Sequence, residues 1–219
     1  MNSSFFRIFL HSRCGILTAG IGILLATLPA FAATPKVMVF GDSLAAAYGL
    51  APAQGWVALL EARLKRHIPP ATVINASISG ETTRGGLSRI GADLAAHKPA
   101  LVLLELGGND GLRGLPLRES RANLASIIVT IRKANADVIL IGIQIPPNYG
   151  LDYAREFREM YPELAKQHKL PPAPFLLDGI AERRDLFQGD GLHPSAAAQQ
   201  RILDTVWPSV ENALRKQPR

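Results

Sequence analysis

Two hydrophobic patterns alternate along the chain. Short, almost wholly apolar runs are followed by longer stretches in which apolar side chains return every three or four positions. The first pattern predicts strands buried on both faces, and the second predicts amphipathic helices packed against them. The runs are 36–40, 72–75, 101–106 and 138–143, with a fifth strand at Phe175-Leu176-Leu177-Asp178 after a proline-rich entry. Between them, Trp56, Leu59, Leu60, Leu64 and Ile68 predict a helix over 55–68, and a second helix covers 83–96. A third carries Leu117, Leu124, Ile127, Ile128 and Ile131 on one stripe, and a fourth spans about 152–167. The last is capped by Ser195, carries Ile202, Val206, Val210 and Leu214, and is expected to bend at Pro208. The connections are too long for hairpins, so the strands are parallel and joined by right-handed crossovers. The fold class is α/β: a three-layer α/β/α sandwich around a flavodoxin-like parallel sheet of about five strands.

In such a sheet, ligands gather at the carboxyl ends of the strands. Three polar turns fall there: Gly41-Asp42-Ser43 after the first run, Ser79-Gly80 after the second and Gly107-Gly108-Asn109-Asp110 after the third. A hydroxyl, a backbone N–H at a glycine and an amide donor on one sheet edge are less easily accidental than three ordinary loops. Alone, Gly-Asp-Ser reads as a helix cap sooner than as a nucleophile, and the other turns have to decide. Asp42 is expected to hydrogen-bond its own turn and Asp110 to brace its own loop. The loop Gly111–Pro116 reads either as plain surface or as a segment whose glycines let it move over a bound ligand.

A serine nucleophile needs a base. His67, His97 and His168 fall in or just after the last turn of predicted helices, where a histidine facing the negative end of the helix dipole is sufficient explanation. His193 instead precedes a helix, in a glycine-rich turn three residues after Asp190, a spacing that lets a carboxylate hold the imidazole. No second histidine or acidic cluster accompanies it, so a catalytic metal is not expected. No dinucleotide fingerprint or phosphate loop is present, and Ala45 stands where a Gly-x-Ser-x-Gly elbow needs its last glycine.

The chain's start and its charge add compartment and partners. Arg7 and Arg13 precede an uncharged stretch from Cys14 to Pro35 that contains Ala30-Phe31-Ala32. This is an export signal (residues 1–32) cut before Ala33, with a retained membrane anchor as the competing reading. Residues 33–219 then form a single domain in the periplasm or outside the cell. Cys14 is the only cysteine, so neither disulfides nor thiolate catalysis serve the remainder. The formal charge of +6 is scattered along the chain, without a basic run, which gives no support to nucleic-acid binding.

Four blocks, Gly41-Asp42-Ser43-Leu44, Asn75-Ala76-Ser77-Ile78-Ser79-Gly80, Gly107-Gly108-Asn109-Asp110 and Asp190-Gly191-Leu192-His193-Pro194, stand in the order found in the SGNH (GDSL-type) hydrolases, which the chain resembles over essentially all of 33–219. Stretches 75–80, 105–114 and 147–150 are most similar to the periplasmic thioesterase and lysophospholipase members. The resemblance implies a catalytic triad of Ser43, His193 and Asp190, an oxyanion hole from Ser43, Gly80 and Asn109, and no cofactor. It implies hydrolysis of small acyl esters and thioesters by a monomer, with transient contact with membrane lipids. A glycan acetyl esterase and a non-catalytic binding module are the rival readings. No motif aligns across 152–188, where part of an acyl pocket is expected.

Overall fold

The computed structural model describes residues 34–67 and 70–216. The expected export signal and its expected cleavage point lie outside the described residues. Four parallel strands, β1 (Lys36–Gly41), β2 (Thr72–Asn75), β3 (Leu101–Glu105) and β4 (Asp137–Leu140), lie in the order β2-β1-β3-β4. The helices are α1 (Trp56–Lys65), α2 (Thr83–His97), α3 (Gly108–Leu112), α4 (Leu117–Lys133), α5 (Leu151–Gln167) and α6 (Gln199–Lys216).

The unbroken apolar runs follow from burial on both sheet faces. Val37, Val39, Leu101 and Leu103 pack with Trp56, Leu60, Ile202 and Val206, so α1 and α6 cover one face. Met38, Phe40, Val102 and Leu104 pack with Ile90, Leu124, Ile128 and Phe157, which places α2, α4 and α5 on the other. Successive strand side chains point to opposite faces, and each finds its own core. From β1 the chain moves to β2 on one side, then crosses back to β3 on the other. The direction of winding therefore reverses between β1 and β3, which is where open α/β sheets hold ligands.

The fifth strand is reduced to a single parallel bridge between Gly142 and Phe175. Gly142 N–H donates to the Pro174 carbonyl at 2.8 Å and Leu176 N–H to the Gly142 carbonyl at 3.0 Å. Pro171, Pro172 and Pro174 have no N–H to extend the ladder, and after Phe175 the chain folds into turns. It occupies the fifth position without forming a strand. The helix expected over 55–68 runs from Trp56 to Lys65 within the described residues. Ser195 precedes a single 3-10 turn (Ala196–Ala198), and its hydroxyl makes no capping bond, so the cap expected there is not formed. Pro208 lies inside α6, and α5 likewise contains a proline, Pro162.

The segment after Asn109 is not a plain loop. Residues 108–112 form α3, and Gly111 is buried against Ile145 and Phe157. The stretch with no recognisable motif supplies that support: Phe157 packs under Gly111, and Tyr161 Oη donates to the Leu106 carbonyl at 3.0 Å.

Candidate active site

β1 ends at Gly41, where a Cβ would run into the Glu105 carboxyl, so only glycine lets β1 and β3 approach this closely beneath the turn. The chain then bends sharply: Ala45 and Ala46 N–H groups both return to the Asp42 carbonyl. Residues 43–49 form turns, a 3-10 turn at Pro52–Gln54 is preceded by Ala51, and α1 starts only at Trp56. Ser43 is therefore not a helix cap. Its Oγ lies 2.9 Å from His193 Nε2.

His193 is held by a turn of its own. Asp190 Oδ1 accepts the N–H groups of Leu192 at 2.9 Å and His193 at 3.0 Å, and Asp190 Oδ2 lies 2.7 Å from His193 Nδ1. A carboxylate can only accept from Nδ1–H, which leaves the Nε2 lone pair facing the serine hydroxyl. The His193 backbone N–H, ahead of the Leu192 N–H and the imidazole, holds the Asp190 carboxyl down at about 2. Asp190 is thus ionised throughout the neutral range.

Around the serine lies a second polar system. Asp42 is almost wholly buried; its Oδ1 accepts from Leu44 N at 3.0 Å and its Oδ2 from Asn109 Nδ2 at 3.1 Å. The first contact braces its own turn, as the sequence predicts. The second ties the end of β1 to the end of β3. Asn109 Nδ2 also donates to the Glu81 carbonyl at 3.0 Å. Gly80 lies in the turn after β2 with φ of +81°, and its carbonyl accepts from the Arg113 guanidinium at 3.1 Å. Ser43, Gly80 and Asn109 thus stand after β1, β2 and β3, on one edge of the sheet.

Asp110 departs from its expected role. It accepts from Thr83 N at 2.9 Å, from the Thr83 hydroxyl and from the Ser120 hydroxyl at 3.1 Å. Its carboxylate sits at the start of α2 and joins α2 to α4, where the helix dipole favours negative charge. It holds neighbouring helices together and does more than brace its own loop.

Glu105 was not anticipated as a site residue, although a carboxyl inside an apolar run is an available signal. It is fully buried, and its Oε2 accepts the Asp42 N–H at 3.2 Å, while Oε1 has no partner among the described residues. Burial, reinforced by the adjacent Asp42 charge, pushes its pKa well above the ordinary carboxylate range and so favours its neutral form. Burial also raises Asp42 to about 6, against the lowering effect of its bonds to Leu44 and Asn109 and of nearby His193.

The sign of the Asp42 effect on stability follows. Native Asp42 binds its proton more tightly than the unfolded chain does, so ionising it between pH 4 and 6 costs the fold about 3 kcal/mol. The contribution is present below pH 4, is lost as pH rises through about 6 and is flat above. In Asp42→Asn, the difference in melting temperature from the wild type should therefore change across pH 4–6 and level off beyond. Parallel melting curves for the two proteins would show that Asp42 does not titrate there.

Of the other histidines, His67 lies edge-on to Trp207 with ring centroids 5.8 Å apart, and the His97 carbonyl accepts from Lys36 Nζ. His168 closes α5 as expected, and burial with nearby Arg132 lowers its pKa. Only His193, among these four, bonds a serine hydroxyl.

Comparison with known proteins places the chain in a family. The model of the GDSL-like Lipase/Acylhydrolase family matches residues 39–201. Esterase TesA of Pseudomonas aeruginosa is 46% identical over 202 residues, which cover 92% of this chain and 100% of that protein. Thioesterase 1/protease 1/lysophospholipase L1 of Escherichia coli K12 is 40% identical over 173 residues, covering 79% of this chain and 82% of that protein. The crystal structure of TesA superposes with a TM-score of 0.79 at 48% identity, covering 81% of this chain and 99% of that one. With a family model matched over most of its length and a relative this similar from end to end, the chain belongs to the GDSL-like Lipase/Acylhydrolase family, the SGNH hydrolases that its four sequence blocks resemble.

Proposed function

We propose that the protein is a serine hydrolase that cleaves acyl esters and thioesters, with Ser43 as nucleophile, His193 as general base and acid, and Asp190 as the group that orients and stabilises the imidazole. The observation that carries this reading is the continuous relay from Asp190 Oδ2 through His193 to Ser43 Oγ, at 2.7 and 2.9 Å. The names of the relatives, esterase and thioesterase/lysophospholipase, support the bond type.

In the first half-reaction Ser43 Oγ attacks the acyl carbon as His193 Nε2 takes the hydroxyl proton. Collapse of the tetrahedral intermediate breaks the bond to the leaving oxygen or sulfur, which receives that proton. Water then attacks the acyl-Ser43 carbonyl, giving its proton to Nε2, and the proton returns to Ser43 Oγ as the acid departs. The developing oxyanion is met by the backbone N–H groups of Ser43 and Gly80 and by the Asn109 amide. Both N–H directions of Asn109 are already engaged with Asp42 and Glu81, so serving the acyl oxygen requires one of those bonds to be shared. Asn109→Ala should lower kcat about a hundred- to a thousand-fold, with the melting temperature followed in parallel because the variant also leaves Asp42 without a partner. Unchanged ester hydrolysis would take Asn109 out of the site.

Exposed Ile78 in the turn after β2, Leu192 beside His193 and Tyr48 against the imidazole offer apolar surface for an acyl chain. They favour lipid-like acyl substrates over acetylated glycans and fit transient contact of a monomer with membrane lipids. Ala30-Phe31-Ala32 supports removal of residues 1–32 and action of residues 33–219 as one SGNH domain in the periplasm. The test has two parts. A fluorophosphonate probe should label the folded protein once, on Ser43, as located by peptide mass mapping; a label elsewhere or none removes the nucleophile. Nitrophenyl esters of increasing acyl length, compared with acetylated sugars, should show preference for the longer acyl esters; faster deacetylation of sugars would favour the glycan reading.

A further inference from the structure

Ser43 and His193 stand on different loops, 150 residues apart in the chain, and their 2.9 Å contact needs something to hold the loops in register. The base loop is internally closed. Phe187 and Pro194 form an antiparallel bridge, Gln188 N–H donates to the His193 carbonyl at 2.8 Å, and Gly191 N–H donates to the Gln188 carbonyl at 2.9 Å. Those bonds shape the loop without fixing its distance from Ser43.

Two glutamine side chains reach across that gap. Gln188 Nε2 donates to the Tyr48 carbonyl at 2.8 Å and to the Pro194 carbonyl at 3.1 Å, one on each loop. Gln199, buried at the start of α6, donates through Nε2 to the same Pro194 carbonyl at 3.3 Å and to Ser195 at 3.2 Å. Its Oε1 accepts from Trp56 N at 3.0 Å, at the first residue of α1. The nucleophile loop is shaped to meet Gln188: Tyr48 N–H returns to the Ser43 carbonyl, and Ala47 and Gly49 both have positive φ. A Cβ on Gly49 would collide with the Gln188 side-chain amide. The Tyr48 ring lies on the His193 imidazole, with centroids 4.5 Å apart and planes tilted by 38°.

We propose that Gln188 is a positioning residue, whose amide clamps the base loop to the nucleophile loop and so sets the His193–Ser43 contact. Its side chain bonds neither the reacting atoms nor the Asp190 carboxylate and His193 imidazole, which pair directly with each other. The inference rests on the triad reading given above. Gln199 serves the same carbonyl from the core, but its burial makes it a poor test, because its loss also uncaps α1. Gln188 is half-buried at the rim and can be removed cleanly.

Misplacing catalytic groups by about 1 Å can cost about a hundred-fold in rate. Gln188→Ala should therefore lower kcat for a short nitrophenyl ester by about ten- to a hundred-fold. KM and the melting temperature should stay near wild-type values. The rate of labelling by a fluorophosphonate, which needs the same Ser43–His193 contact, should fall in parallel with kcat. Gly49→Ala should give a similar loss of kcat by displacing the Gln188 amide. The double variant should be no slower than the slower of the two single variants, because the clamp can be lost only once, whatever strain a side chain adds at the positive φ of Gly49. Wild-type kcat in Gln188→Ala, a loss carried by KM or melting temperature, or multiplicative losses in the double variant would each overturn the clamp. Ser43→Ala assayed beside them separates the two readings. If it is inactive while Gln188→Ala is normal, only the clamp fails; if it is active, the triad itself fails.

Discussion

Ser43→Ala should reduce hydrolysis by about a million-fold while leaving the melting temperature little changed. The hydroxyl is the only atom lost, and its bond is to a histidine that its own turn already holds through Asp190. The fold has little invested in it. The rate depends on it entirely, because it is the hydroxyl that meets the His193 imidazole. Ser77 is the nearest alternative in sequence pattern, and its hydroxyl donates to the Val39 carbonyl at 3.4 Å, so it spans β1 and β2 as a structural link. The residual rate of Ser43→Ala should remain above that of water alone, since the oxyanion donors survive and typically retain about a thousand-fold or more. Steady-state hydrolysis of a nitrophenyl ester, with melting measured on the same preparation, is the check. Retention of one per cent of activity or more would mean that another group attacks the acyl carbon.

The strands and the three polar turns were legible in the sequence for one physical reason. A strand buried on both faces, as β1 and β3 almost wholly are, cannot carry polar side chains, so its run ends where the sheet ends and polarity resumes there; the edge strand β2 is only partly buried. Leu101–Glu105 shows the limit of that rule, for its last residue is a fully buried carboxyl. Glu105 can stay buried because its neutral form is favoured and it accepts the Asp42 N–H, a pairing across two strands that spacing along the chain does not encode. His193 could be singled out because its partner Asp190 is three residues away and local turns bring such neighbours together. Gln188 could not, since its partner Tyr48 lies 140 residues back. Asp110 was misjudged for the same reason: its own loop is adjacent in sequence, but Thr83 and Ser120 are what the fold brings to it. The fifth strand failed differently. Its apolar run was real, and its prolines limited it to a single bridge.

Asp190→Asn should lower kcat about ten-thousand-fold while leaving the turn intact. The two oxygens of Asp190 have separate tasks. Oδ1 accepts the backbone N–H groups of Leu192 and His193, and an asparagine carbonyl oxygen can accept both in the same way. The turn that presents His193 should therefore survive. Oδ2 faces His193 Nδ1 at 2.7 Å, and in asparagine that position becomes an NH2 group. A donor there repels Nδ1–H and selects the tautomer with its proton on Nε2, which then points a hydrogen at Ser43 and cannot take one from it. The negative charge that stabilises the imidazolium in the transition state is also lost. Because the wild-type carboxyl titrates near 2, Asp190 adds no ionisation to the rate profile between pH 4 and 9, and the variant's deficit should persist over that whole interval. The measurement is kcat against pH for both proteins, with melting temperature to show that the turn is kept. A deficit under ten-fold at every pH would mean that His193 is oriented by something other than Asp190.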